Sequence, residues 1–547
     1  MNPMLTRMRL YGETLRHLRP IQIYGRLWFR MVRPRPDLRA PPSQRLQTGQ
    51  WVMPARRRQS QTGAEEFRFL NETRSLPRHG WDDPELSKLW RYNLHYFDDL
   101  NAEGAQGRAQ WHRTLIGRWV EENPPGKGSG WEPYPVSLRI VNWVKWALAG
   151  SELSPQALHS LAVQARWLTQ RLEYHLLGNH LFANAKALVF AGCFFEGAEA
   201  ENWLSIGLRI LQREVPEQIL ADGGHFELST MYHALALEDM LDLINVMRCA
   251  GLPVPALWAD RISPMRNWLA AMCHPDGEIS FFNDAAIGMA PSPAELEHYG
   301  VRLGFPPLGG IRDGCTLLKD SGYIRLQNAR AVALLDVARV GPDYLPGHAH
   351  ADTLSFELSV DRRRVIVNSG TSVYGTGPER LRQRGTAAHN TVMVDGQDSS
   401  EVWSGFRVAR RASPHGLSLR QEGGRHIVTC AHDGYARLSG RPRHRRTLIL
   451  EDDSLVVSDT VDGLCRHAEA LFHFHPGCTA AISGGGRSGS VSAGSVPVLC
   501  WQLRTGTARV EPSSWHPEFG SGEPTHRLVI GLVEGRSEIA FRWAAAD

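Results

Sequence analysis

The chain has 547 residues, is 42% apolar and 22% charged, and carries a formal charge of +4. That is too long for one ordinary core, so two or three domains are expected. The composition is that of a globular protein, and no apolar run approaches the roughly 18 residues of a membrane-spanning helix.

The charge is unevenly placed. Residues 1–60 hold 13 arginines, no lysine and two acids, Glu13 and Asp37, leaving the remainder with a net charge of −7. The bulk of the chain therefore excludes nucleic acid as a partner by charge. The basic arm suits a membrane surface or an acidic polymer, or folds back onto the body as a solvated leader. Arginines at 7, 9, 16, 19, 26 and 30 interrupt the N-terminus, which is unlike a secretory signal. A cytoplasmic location is the literal expectation, with a periplasmic or secreted one as the alternative. Eight scattered cysteines contain no CxxC pair and read as core thiols.

In chain order, residues 1–60 form an amphipathic start, Met4 to Val32, followed by a proline-rich linker with Pro34, Pro36, Pro41 and Pro42. Residues 61–312 carry helical periodicity, as in Val136-Leu138-Ile140-Val141-Val144 and Leu158-Leu161-Ala162-Ala165-Leu168. The segments Leu181–Phe195, Leu204–Leu220 and Tyr232–Val246 repeat it, punctuated by glycine and proline, which fits an α/α toroid or a helical array. In residues 313–547 the period becomes two. Strands are expected at Tyr323–Leu326, Val332–Val337, Leu354–Val360, Val365–Val367, Thr391–Val394, Thr447–Leu450, Leu455–Val457, Leu471–Phe474, Val496–Leu503 and Leu528–Ile530. With no helix between them they imply an antiparallel β-sandwich, so the class is α+β, helices first and sheets second.

Four segments carry the chemistry. Gly347-His348-Ala349-His350-Ala351-Asp352 is followed by His389, and upstream lie Gly178-Asn179-His180 and Met231-Tyr232-His233. An amide, a phenol and several imidazoles suit proton abstraction beside a carboxylate, with Asn179 or His180 damping the charge and Tyr232 or a histidine moving the proton. Gly178 allows a sharp turn before Asn179. On a strand His348 and His350 would share a face. His350 and His389 are also a possible metal pair, since neutral imidazole is a common zinc donor.

The chain resembles the heparinase II/III family of polysaccharide lyases from about Leu89 to Gly405. The resemblance rests on Leu89–Phe97, Gly130-Trp131-Glu132-Pro133-Tyr134-Pro135, Arg139–Trp143, Gly178-Asn179-His180-Leu181, Asp222–Glu227, Met231-Tyr232-His233, His348–Asp352 and His389-Asn390-Thr391. It implies an N-terminal α/α toroid and a C-terminal antiparallel β-sandwich. It implies that Asn179, with His180 beside it, neutralises the carboxylate of a uronate, that Tyr232 protonates the leaving oxygen, alone or together with abstracting a proton, and that His348 is base or partner. Tyr96, Trp131, Glu132, Tyr134, Glu227, His233 and Arg384 are then the candidates for holding the glycan. His350 and His389 match positions that bind a structural Zn²⁺, and Asn368 stands where the family's third ligand is an aspartate. A neutral amide is the poorer Zn²⁺ ligand, so lower occupancy than in an aspartate-bearing relative is expected.

The expected activity is β-elimination on an acidic polysaccharide, leaving a C4–C5 double bond. Three rivals remain open. A uronate C5 epimerase would use the same abstraction. A hydrolase would need two carboxylates, for which Asp222 and Glu227 are the obvious pair. A non-catalytic glycan-binding or exopolysaccharide-assembly protein would keep the fold alone.

Overall fold

The structure is a computed structural model and describes residues 3–545. Residues 3–60 are no loose tail. Helices Pro3–Leu15 and Pro20–Met31 are followed by an extended strap that bonds onto the helical body, with Arg45 N donating to Phe194 O at 2.8 Å and Gly49 N to Cys249 O at 2.9 Å. Of the two expectations for the arm, folding onto the body holds for its inner face.

A short three-stranded sheet of residues 61–75, absent from the sequence expectation, opens the helical half and packs Phe69 against Trp90. Then come the long helices Ala109–Glu122, Pro133–Leu148, Pro155–Gln170, Gly178–Phe194, Ala198–Gln218, Thr230–Cys249 and Ala256–Ala271. Their starts follow from sequence. Ser154 and Ser292 cap helices whose first residue is proline, a position where the missing N–H costs nothing. The core is aromatic: Trp119 sits among Trp131, Trp143 and Phe97, all buried. Most of the abundant tryptophans thus pack helices rather than line a cleft.

The β half contains four antiparallel sheets among the described residues, the smallest a two-stranded ribbon of Val402–Trp403 and Arg407–Val408. In a meander of five strands, Gly314–Leu318 to Arg363–Ile366, the three central strands are buried on both faces. Tyr323, Val332 and Leu334 meet Trp268 and Met272 of the helical half, whereas Ile324, Leu326, Ala333 and Leu335 meet the β core. This sheet is the layer that locks the halves together. Beyond it lie an eight-stranded sheet and a four-stranded sheet of Thr507–Trp515, Glu523–Gly531, Ala468–His473 and Val392–Val394. Strand Arg443–Leu450 alternates exposed and buried residues over its first half, as its two-residue period requires. All eight cysteines are free. No helix among the described residues is long and apolar enough to cross a membrane.

Candidate functional site

The helix Gly178–Phe194 begins on two left-handed residues, Leu177 at φ 63° and Gly178 at φ 54°. A Cβ on Gly178 would come within 2.3 Å of Leu345 Cδ2 and 3.2 Å of Glu227 Oε1. Glycine therefore allows the loop from the β half to close onto the start of this helix. Asn179 and His180 fall on the half-buried first turn. The side-chain amide of Asn179 has no partner among the described residues, and its backbone N–H faces Glu227. His180 Nδ1 is 3.2 Å from Glu173 Oε1. Burial disfavours the imidazolium, but Glu173 prevails and raises the His180 pKa. The ring lies 4.6 Å from Tyr134, which lies 6.0 Å from Tyr96 and, through it, reaches Tyr92. These aromatics form one wall.

Tyr232 stands on the first turn of Thr230–Cys249. Ser229 caps that helix by accepting from Tyr232 N at 3.2 Å, and its own hydroxyl donates to Asp284 O. The Tyr232 ring lies 3.9 Å from the His348 ring, and its hydroxyl is 3.0 Å from that of Tyr374. Burial, then Tyr374 and Asp284, push the phenol well above its ordinary pKa. Tyr232 is a held proton, not a phenolate.

His348 and His350 sit in a loop, not on a strand. They are brought together by Asp284 instead of by strand parity. Its Oδ2 accepts from His348 Nδ1 at 2.8 Å, its Oδ1 from His350 Nε2 at 2.8 Å, and both oxygens take Arg380. Burial opposes the charge on Asp284, yet Arg380 and the two imidazoles hold its pKa well below the carboxylate range. With Nδ1 donating to this carboxylate, His348 keeps its lone pair on Nε2, 3.5 Å from Glu227 Oε2. Glu227 is buried with no well-formed side-chain hydrogen bond, and burial raises its pKa.

The second histidine pair has a proton deficit. His389 Nδ1 is 2.8 Å from Gly385 O, His350 Nε2 is 2.8 Å from Asp284, and His350 Nδ1 is 3.0 Å from His389 Nε2. Burial lowers both pKa values, that of His350 to about 4, so both rings are neutral at pH 7. Two neutral imidazoles own two N–H groups, and the outer contacts use both. Two lone pairs then face each other, close to the roughly 3.3 Å between two nitrogens on one tetrahedral Zn²⁺. Asp352 completes a cluster whose ligand atoms lie within 4.8 Å of one another. The outer contacts to carboxylate and carbonyl are those that orient metal-bound histidines. Asn368 is buried beside this cluster, but its oxygen already accepts from Asn390 N at 3.1 Å and Nδ2 at 3.2 Å. The carboxylate at hand is Asp352, not a residue at 368.

Other expected glycan contacts divide. Glu132, half-open to solvent, binds Lys88 at 2.8 Å and accepts from Tyr92 at the rim. Trp131 is a core residue bonded to Asn123 O at 3.1 Å. His233 is fully buried between His225 N and Met265 O. Arg384 is buried and clamps Ala349 O at 2.7 Å, supporting the histidine loop from behind. These three cannot touch a substrate. The Asp222–Glu227 pair also dissolves, because Asp222 staples a turn through Gly224 N, Asp320 N and Ser321. The sequence reading missed Asp284, Arg380 and Tyr374. Asp284, in Phe282-Asn283-Asp284, and Arg380 carried no spacing signal.

Residues 98–297 match the family profile described as heparinase II/III N-terminus, and residues 312–544 that described as heparinase II/III-like, C-terminal. A heparin-sulfate lyase of Bacteroides stercoris is 27% identical over 71% of this chain and 61% of its own length. The chain thus matches under two-thirds of that relative. FtsZ-localized protein C of Caulobacter vibrioides is 26% identical over 85% of this chain and 83% of its own. The crystal structure of heparinase III superposes with a TM-score of 0.68 at 20% identity, covering 86% of this chain and 80% of that one, a likeness of fold.

Proposed function

The chain belongs to the heparinase II/III family, and we propose that it cleaves a uronate-containing acidic polysaccharide by β-elimination. The observation that carries this reading is one convergence: an amide unpartnered among the described residues, a histidine with its free lone pair fixed by a buried carboxylate, and a protonated tyrosine whose ring lies 3.9 Å from that histidine. The names of the heparin-sulfate lyase relatives favour a glycosaminoglycan as the polymer.

The steps follow from the atoms. Asn179, at the positive end of its helix, donates its side-chain amide to the uronate carboxylate and damps the charge that builds when C5 loses its proton. His180 adds positive character nearby. His348 Nε2 takes the C5 proton, the electron pair forms the C4–C5 double bond, and the C4–O4 bond breaks. Tyr232 gives its proton to O4. Loss of the proton from the imidazolium and uptake of one by the phenolate reset the site. Asp284 fixes the reactive tautomer of His348, and Tyr374 orients the phenol. His350, His389 and Asp352 are the residues that would hold Zn²⁺, which when bound supplies a cross-link that stiffens the histidine loop.

The test is turnover on a panel of acidic glycans, read by the ultraviolet absorbance of unsaturated uronate and by product mass. New reducing ends without that chromophore would mean hydrolysis, and deuterium exchange at C5 without cleavage would mean an epimerase. The match over most of a relative named for FtsZ localization favours a second reading, a glycan-binding or assembly protein on the same fold. Saturable glycan binding with no turnover across the panel would establish that reading.

A further inference from the structure

The two arm helices are amphipathic the wrong way round for a packed tail. In Pro20–Met31 the inward residues are well anchored. Gln22 Nε2 donates to Tyr344 O at 3.1 Å, the Phe29 ring lies 4.2 Å from His175, and Arg171 donates to the Phe29 and Val32 carbonyls. Ile23, Tyr24, Leu27, Trp28 and Met31 recur at helical spacing on the other side, and all point outward, 53–73% exposed. Helix Pro3–Leu15 is tied to the β half through Trp403 Nε1 on Thr14 at 3.1 Å and Arg9 on Glu401 at 3.0 Å. It leaves Met4, Leu5, Met8 and Leu15 outward. Nine of the 22 exposed large apolar side chains of the described residues thus lie between positions 4 and 31.

Cations frame this apolar surface. Residues 3–35 contain eight arginines and one acid, Glu13. Arg9, Arg16 and Arg19 are ion-paired, whereas Arg26, Arg30, Arg33 and Arg35 have no acidic partner among the described residues. A helix lying in a bilayer interface needs this combination: apolar side chains for the acyl boundary and long basic ones for the headgroups. Neither helix can span a bilayer.

We propose that the outer face of the N-terminal arm docks the protein on an anionic lipid surface, with both helices in the plane of the headgroups. The face is inconsistent with the other candidate occupants. An acidic polysaccharide would reward the arginines but not a row of Ile23, Leu27 and Met31. A second copy of this chain would bring a like-charged arginine frame against its own. An anionic bilayer satisfies both features at once.

The test is flotation of the full-length protein with phosphatidylcholine vesicles, with and without phosphatidylglycerol, at low and high salt. Binding is expected on the anionic vesicles, weakened by salt and by omission of phosphatidylglycerol. The triple variant Leu27→Ser, Trp28→Ser, Met31→Ser should lower affinity for anionic vesicles at least tenfold. Arg26→Gln with Arg30→Gln should cost about fivefold per arginine on anionic vesicles alone. These side chains are exposed, so the melting temperature should not move in either variant. Three results would overturn the proposal: no flotation of the wild type, a triple variant that floats as well as wild type, or a wild-type dimer that the triple variant dissociates. Vesicle binding that tracks affinity for soluble heparin and ignores the apolar substitutions would assign the face to an acidic polymer instead.

Discussion

Replacing Tyr232 by Phe removes one oxygen and leaves the ring that packs 3.9 Å from His348. Two quantities should separate. The lost hydrogen bond to Tyr374, 3.0 Å long, is a neutral pair and costs about 0.5–1.5 kcal/mol of stability. If the phenol protonates the leaving O4, turnover should fall at least about 10²-fold, equivalent to about 2.7 kcal/mol of barrier. Tyr374→Phe provides the control, since it breaks the same hydrogen bond while sparing the Tyr232 phenol. It should lose comparable stability and keep most turnover. The assay is kcat from unsaturated-uronate absorbance at saturating glycan, beside thermal melts of all three proteins. A folded Tyr232→Phe variant turning over near the wild-type rate would refute the reasoning. So would equal losses in the two variants, because the hydrogen bond and not the phenol would then matter.

Asn179→Ala should lower kcat more than it raises KM, because its amide meets charge that grows in the transition state. Raised KM at constant kcat would reduce Asn179 to a ground-state contact. Gly178→Ala should impair turnover as well, since its methyl would push on Leu345 and the helix would have to hold a left-handed alanine; normal kinetics would show the close approach to be dispensable. Elemental analysis should find zinc that is lost in His389→Ala and Asp352→Asn, with a lower melting temperature in chelator for the wild type only. Zinc unchanged in both variants would place it elsewhere. Asn368→Asp should raise zinc content if residue 368 reaches the ion, and leave it unchanged if Asp352 already serves. Finally, burial lowers the pKa of His95 and His225 to about 3 and that of His233 to about 4. Below about pH 6.5 the unfolded chain takes up protons that the folded one refuses, so stability is full above that pH and falls toward pH 4. A melting temperature flat from pH 7 to pH 4 would contradict this.

The sequence by itself determined where helix gives way to sheet, because hydrophobic period is a local property. Leu181–Phe195 and Tyr232–Val246 lie almost wholly inside observed helices, and Leu455–Val457 and Leu528–Ile530 inside observed strands. It also marked Asn179, Tyr232, His348, His350 and His389, whose residue types in short motifs suit proton transfer or metal binding. Only the tertiary structure decided what those residues face. Asp284 stands 64 residues before His348 and Arg380 lies 96 after Asp284, so no periodicity links them, yet their buried hydrogen bonds set which nitrogen of His348 is free. The same reason undid Trp131, His233 and Arg384 as glycan contacts: their types suit a sugar, but burial and satisfied hydrogen bonds come from elements far away in the chain. The arm makes the point in reverse. Its amphipathic pattern was legible, but a pattern names two faces and not which one docks, and only the packing against His175, Tyr344 and Trp403 turned the apolar face outward.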